Sequence, residues 1–417
     1  MTRWWLLAFL AATLYLTVRG IVPGLRQGQD FAPVYCASRL WMQGLGPYDD
    51  AQLKAEGARA GITTRIGLPD FAAVYPPLTL VVTSPIALLP FPFARLALLV
   101  LNLLALAGCW WMLARRFGWP LDCPRSFVLG VVILSLAAVH TCLKDGQLTP
   151  IVLLGILVAL DPASGWTSAS VGWVVALLKY SIPPPFMALS ARRSGRNGVI
   201  SPLVAVGVFF AAVGLMAASV GLTSLLGGYM ALVDALFAKG AWDDPTRIGD
   251  GTASMVWLKA LLYRVFSFAP TAVPALNGIV IVAMGCVLVL LLLRCRDEGR
   301  LLLVIAAFVL LTSYHRVYDA VVLVPGIAWL IDRGARAPDR EGMLLSALLL
   351  PFLIPGPGAL QSVLSEPLKN HWLVYAIAIP HQTWCLLAIF AVASRRSVAD
   401  TLASRVRPVG AVPVRVG

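Results

Sequence analysis

Apolar runs long enough to cross a bilayer recur from one end of this chain to the other, and that recurrence restricts the fold to a bundle of membrane helices. A spanning helix needs roughly 20 apolar residues, and its backbone groups must be satisfied within the segment. Runs of this kind lie near 4–22, 75–90, 92–114, 126–142, 147–160, 167–190, 199–222, 271–293, 300–314, 317–331, 343–360 and 372–393. The expectation is an all-α, polytopic integral membrane protein with about 12 transmembrane helices, residues 1–417 forming a single domain. The runs at 75–90, 147–160 and 300–331 are short enough to be broken, tilted or partly re-entrant. The first run lacks a small-residue cleavage site and is read as an uncleaved span.

Charge supports this reading. Of the 417 residues 59% are hydrophobic and 13% charged, where a soluble protein carries about a quarter. The net charge of +13 could suggest nucleic acid, but the basic residues sit in short clusters between apolar runs, at 192–196, 294–300, 333–340 and 395–407. Such clusters mark cytoplasmic loops. Placing them inside puts the N-terminus and the tail 394–417 in the cytoplasm. Two long loops, 23–74 and 223–270, then face outward from a multi-pass plasma-membrane protein. The scheme leaves Arg115 and Arg116 outside, against the rule, which points to a wrongly assigned span before residue 160. None of the seven cysteines forms a CxxC pair or a metal-ligand spacing.

The first outer loop has internal order. Asp30 is placed as the N-cap of a helix that Gly44, Gly46 and Pro47 end, and a second helical stretch runs from Asp50 to Ala60. Both are expected as amphipathic helices on the membrane surface. The second outer loop carries the turn-rich stretches Trp242-Asp243-Asp244-Pro245 and Gly249-Asp250-Gly251-Thr252.

Polar groups within apolar runs are costly and usually face a cavity or a partner. Here they are Lys179, the Lys144-Asp145-Gly146-Gln147 turn, His140, and His315-Arg316 with Asp319. Each has a structural alternative: Lys179 snorkels to headgroups, Lys144 pairs with Asp145, His140 ends a helix, Asp30 only caps, and His315 pairs with Asp319 four residues on. The functional reading joins Asp30 and His315, both assigned to the outer face although 285 residues apart. A carboxylate and an imidazole there suit general-base chemistry. Arg316 or Arg39 could hold a phosphate leaving group. Lys179 does so if the cavity is deep, and otherwise pairs with Gln147.

These residues fall in a familiar order. Gln29-Asp30-Phe31 with Tyr35, then Gly46-Pro47-Tyr48-Asp49, resembles the opening of glycosyltransferase family 87. Tyr75-Pro76-Pro77 resembles its YPP segment, Gly146-Gln147 its GQ element, Leu178-Lys179 its LK element, and His315 through Asp319 its late HxYD element. Thr149-Pro150 stands where the family usually has Asn, and Thr252-Ala253-Ser254 where it often has Asn-Gln-Ser. The resemblance implies a GT-C fold and an inverting, metal-independent enzyme without a cofactor. The family's common donor is polyprenyl-phosphate mannose and its catalytic acid lies in the first outer loop, here Asp30, with His315 beside it. Arg316, Lys179, Arg39, Tyr35, Tyr75, Tyr318, Asp319 and Gln147 are the expected substrate-binding residues. The partners implied are the lipid-phosphate sugar, a glycolipid or glycan acceptor, and membrane lipid. No nucleotide-binding glycine pattern is present. A lipid transporter or flippase, and an assembly subunit that binds lipid-linked sugar without turning it over, are the competing classes.

Overall fold

The computed structural model describes residues 3–62, 71–193, 195–241, 243–246, 254–353, 360, 363–369 and 371–406. Trp242, the Gly249–Thr252 turn and Ala253 lie outside the described residues. Within them the chain is all-α, its one extended pairing an isolated antiparallel bridge between Met255 and Arg316. Among the described residues four helices are long and apolar enough to cross a membrane: Trp4–Gly24, Phe91–Arg116, Gly195–Val220 and Pro270–Arg294. The pair Pro124–Ser135 and Ala137–Asp145, bent by 51° where Leu136 turns extended, makes a fifth if the two pieces are one span. The chain is thus an all-α membrane protein.

Burial differs widely among the helices. Gly195–Val220 and Pro270–Arg294 expose Leu203, Phe210, Leu215, Ile279, Val282 and Leu293, as helices in contact with lipid do. Glu298–Thr312 is interior: its residues from Arg300 to Ala307 are all buried. Two interior helices, Thr149–Ala159 and Trp166–Ala176, meet through glycine. A Cβ on Gly172 would stand 2.6 Å from the Gly155 carbonyl, and one on Gly155 2.6 Å from that of Gly172. Each glycine is followed four residues later by alanine (Ala159, Ala176), the small-xxx-small spacing that lets helix backbones approach.

Ionic contacts gather the helix ends into two groups. At the basic end, Arg116 and Arg193 both pair with Glu298 and both donate to the Leu160 carbonyl. Asp332 takes Arg336, Arg125 and the Trp119 indole. Glu341 takes Arg300 and Arg333. The opposite end holds Asp30, Gln147, Lys179 and His315 around a cavity.

This grouping corrects the expected path. The 75–90 run does not lead to the basic end. Tyr75 and Pro76 line the cavity, and the Ala87 and Leu89 carbonyls, at the far end of the helix Pro77–Ala87, accept from Arg39 and Tyr35 of the first loop. The run begins and ends beside residues of the first loop, and Arg116, at the end of Phe91–Arg116, stands at the basic end beside Arg193. The 167–190 run is likewise two elements: it brings Lys179 to the cavity, breaks at Pro183-Pro184-Pro185, and returns as Pro184–Arg193. The loop helix Phe31–Met42 is not a surface helix, since nine of its 12 residues are buried. Its polar residues find partners inside the protein: Ser38 bonds Thr83 at 2.9 Å and Arg39 bonds Glu56 at 2.6 Å. The stretch expected to open the second outer loop instead begins as the apolar helix Leu222–Phe237.

The glycine contact yields a test. Gly172→Val should destabilise by about 1–3 kcal/mol through overpacking, seen as a lower thermal midpoint in detergent. Gly207→Val, where a Cβ meets nothing within 4 Å, should leave the midpoint near that of the parent.

Candidate active site

The Lys144–Gln147 turn is the dock on which Asp30 is mounted. Gly146 ends the helix Ala137–Asp145 in the left-handed region at φ 74°, and a Cβ there would also lie 2.8 Å from that of Phe31. Only glycine meets both demands. The Gly28 and Asp30 amides donate to the Lys144 and Asp145 carbonyls at 3.0 and 2.9 Å. Asp30 stands at the N-cap position of Phe31–Met42, yet its side chain caps nothing. Its Oδ2 instead accepts from Gln147 Nε2 at 2.5 Å. Gln147 Oε1 in turn accepts from the Tyr75 hydroxyl at 2.7 Å.

A second network centres on Asp319. Its Oδ1 accepts from Lys179 Nζ at 2.6 Å and from the Thr149 hydroxyl at 2.6 Å. Its Oδ2 meets His315 Nδ1 at 2.8 Å. The other ring nitrogen, Nε2, meets Ser313 Oγ at 2.8 Å. Lys179 stands 4.8 Å from the Tyr318 ring centre and 6.0 Å from that of Tyr75, so its charge is met by one carboxylate and two aromatic faces. The expected link between Lys179 and Gln147 is corrected: Lys179 takes Asp319 and Thr149, because the Gly155–Gly172 contact brings the ends of those two helices together. His315 was expected to bond Asp30 or the acceptor, but Asp319 and Ser313 occupy its two ring nitrogens, so it is not Asp30's hydrogen-bond partner.

Arg316 forms the third pair. It binds Asp243 of the second loop, and its Nε donates to the Tyr314 hydroxyl at 2.8 Å. The segment is fixed by backbone bonds from Val256 N to His315 O (3.0 Å) and from Val317 N to Ser254 O (2.8 Å). Burial pushes the Asp243 carboxyl above its ordinary range and outweighs the opposing pull of Arg316.

These networks line one cavity of about 400 Å3, within the range of small-molecule sites. Asp30, Tyr75, Gln147, Lys179, His315, Arg316, Tyr318 and Asp319 all contribute to it. Arg39 and Tyr35 do not. Arg39 is held by Glu56, and the Tyr35 ring packs on Phe31 and Phe91 while its hydroxyl donates to Leu89 O. The sequence reading passed over Asp243 as a cation's partner and Thr149 as a donor to Asp319. It also passed over Tyr229, Val233, Leu236 and Phe237, one face of the Leu222–Phe237 helix, which forms an apolar wall of the cavity. Leu222, Leu226 and Met230 on that helix are exposed.

A small-molecule cavity at the end of a membrane bundle, holding carboxylates and cations from distant segments, suits group transfer, and the sequence family agrees. The profile of glycosyltransferase family 87 matches residues 73–313, more than half of the chain. The chain belongs to glycosyltransferase family 87. No curated protein and no solved structure matches it. It is therefore a membrane glycosyltransferase. The family match includes Tyr75, Gln147, Lys179 and Asp243, and excludes Asp30, His315, Arg316 and Asp319. The fold joins the two sets: Asp30 to Gln147, Asp319 to Lys179, Arg316 to Asp243.

The Asp319 network yields a test of structure against binding. Lys179→Met leaves a buried carboxylate without its cation and should cost about 3–5 kcal/mol of stability. The double variant Lys179→Met with Asp319→Asn should recover most of that loss in thermal unfolding.

Proposed function

We propose that this glycosyltransferase is an inverting enzyme that moves a sugar, mannose in the first instance, from a polyprenyl-phosphate carrier to a glycolipid or glycan acceptor at the outer face of the plasma membrane. The observation that carries the reading is the cavity itself, in which Asp30 is bonded to Gln147 within the family-matched segment. Asp30 takes the proton of the acceptor hydroxyl. The hydroxyl oxygen attacks the anomeric carbon, the bond from that carbon to the phosphate oxygen breaks, and polyprenyl phosphate departs with its electron pair. Attack opposite the leaving group inverts the centre. A lipid phosphate is already an activated leaving group, so the protein's task is to place the base and meet the developing charge.

Arg316 is the cation best suited to the phosphate. It lines the cavity and offers a planar fork for two oxygens, whereas Lys179 is a single ammonium already bonded to Asp319 and Thr149. His315 orients Asp319 and, through it, Lys179. The grouping of helix ends supports an outward orientation: Arg116 joins Arg193, Arg300 and Arg333 at one end, as the positive-inside rule asks. About 12 passages with both termini in the cytoplasm is the topology proposed here; among the described residues four helices, five with the bent pair, are long and apolar enough to cross a membrane.

The test is incubation of purified protein with polyprenyl-phosphate mannose and a lipid-glycan acceptor, followed by mass analysis. Asp30→Asn should lower turnover about 10²- to 10⁴-fold, the usual worth of a general base, while donor binding persists. Undiminished turnover by that variant would sink the mechanism, and movement of labelled lipid without a covalent product would favour a transporter.

A further inference from the structure

Gln147 is held at both its backbone and its side chain beside the cavity, and the reaction as written gives it no task. It is 1% exposed. Its backbone carbonyl accepts from Asn102 Nδ2 at 2.9 Å, and its backbone amide donates to Cys142 O at 2.9 Å. Its side chain is fixed at both ends, by the Tyr75 hydroxyl on Oε1 at 2.7 Å and by Asp30 Oδ2 on Nε2 at 2.5 Å. Tyr75 is braced from behind, since its own carbonyl accepts from the Tyr48 hydroxyl at 2.7 Å.

A primary amide has one donor end and one acceptor end. A carboxylate at Asp30 accepts only, so the amide must turn Nε2 toward it and Oε1 toward a donor, which Tyr75 supplies. The chain Tyr75–Gln147–Asp30 then has a single direction, hydroxyl to amide to carboxylate. Such a chain does two things for a base. It fixes the rotation of the carboxylate, and it gives the ionised form a hydrogen-bond donor.

We infer that Gln147 is a positioning residue for Asp30, and that Tyr75 sets the orientation of the Gln147 amide. The inference rests on the reading of Asp30 as the base. It gives the Gly-Gln element and the Tyr-Pro-Pro segment one shared purpose: the first brings the amide, the second its counter-donor, and both converge on a carboxylate outside the family-matched range.

The other charged groups around the cavity leave this chain distinguishable. Lys179 and Asp319 pair with each other, Arg316 and Asp243 do likewise, and His315 is bound to Asp319. All of these, with Tyr314 and Tyr318, are common to the parent and the variants below, so a difference between pH profiles reports the 30–147 contact.

Gln147→Glu would set two carboxyls at hydrogen-bond distance, where like charge favours retention of one proton. The acid limb of the kcat/KM profile should move to higher pH by about one unit or more, with donor KM little changed and kcat recovering on the alkaline side. Tyr75→Phe removes one hydroxyl and should lower kcat by about tenfold, the scale of one hydrogen bond near a charge, again at nearly constant donor KM. An acid limb that stays in place in a Gln147→Glu protein with a parental thermal midpoint would overturn the inference. If that variant does not fold, Tyr75→Phe decides, and a parental kcat overturns it. Asp30→Asn separates the two levels: retained turnover there defeats the general-base reading itself, whereas an inactive Asp30→Asn beside an unmoved Gln147→Glu profile defeats only the positioning role.

Discussion

A charge inside a membrane bundle has little water to turn to, and the cavity end of this protein is organised around one such charge. Asp319 is 3% exposed and receives Lys179, Thr149 and His315. Those donors come from separate helix ends, so one carboxylate fixes their mutual placement. Without these donors a buried carboxylate would cost several kcal/mol. With them it becomes the reference point from which the rest of the site is set out: Lys179 faces Tyr75 and Tyr318, and Tyr75 passes the alignment on to Gln147 and Asp30. The Gly155–Gly172 contact is the backbone counterpart of that arrangement, since it brings the helices bearing Thr149 and Lys179 within reach of one oxygen.

The sequence discloses the class of fold readily and the path of the chain less so. Hydropathy records how much of a segment is apolar, not which end of the bundle it points to. The shortness of the 75–90 run leaves open a span or a turn back, and the bonds from Arg39 and Tyr35 to its far end favour the turn back. The 167–190 run has the length of one span, and its three prolines mark the break that splits it. The helix Leu222–Phe237 follows a span with only Gly221 between them, at φ 84°, and no polar segment announces a new element.

The site was legible where a polar residue in an apolar run demanded an explanation, as with Asp30, Gln147, Lys179, His315 and Asp319. Partnerships were harder to read. Arg39 looks close to Asp30 in the sequence, but nine residues of helix set it about 13 Å along the axis, where Glu56 holds it. Asp243 was hidden because an acid in a polar loop looks ordinary until Arg316 is found opposite. Gln147 was legible as a motif residue, but its link to Asp30 spans 117 positions, a separation that only the folded chain closes.

The helix Leu222–Phe237 shows one face to the cavity and another outward. A sugar carried on a lipid would meet this wall from within the bilayer and not from the aqueous phase. Its effective concentration is then a mole fraction among lipids, so saturation would follow the composition of the membrane and be diluted by inert lipid, whatever the volume of water around it. For such an enzyme the membrane is the reaction solvent, and expanding it slows the encounter as surely as lowering the amount of substrate.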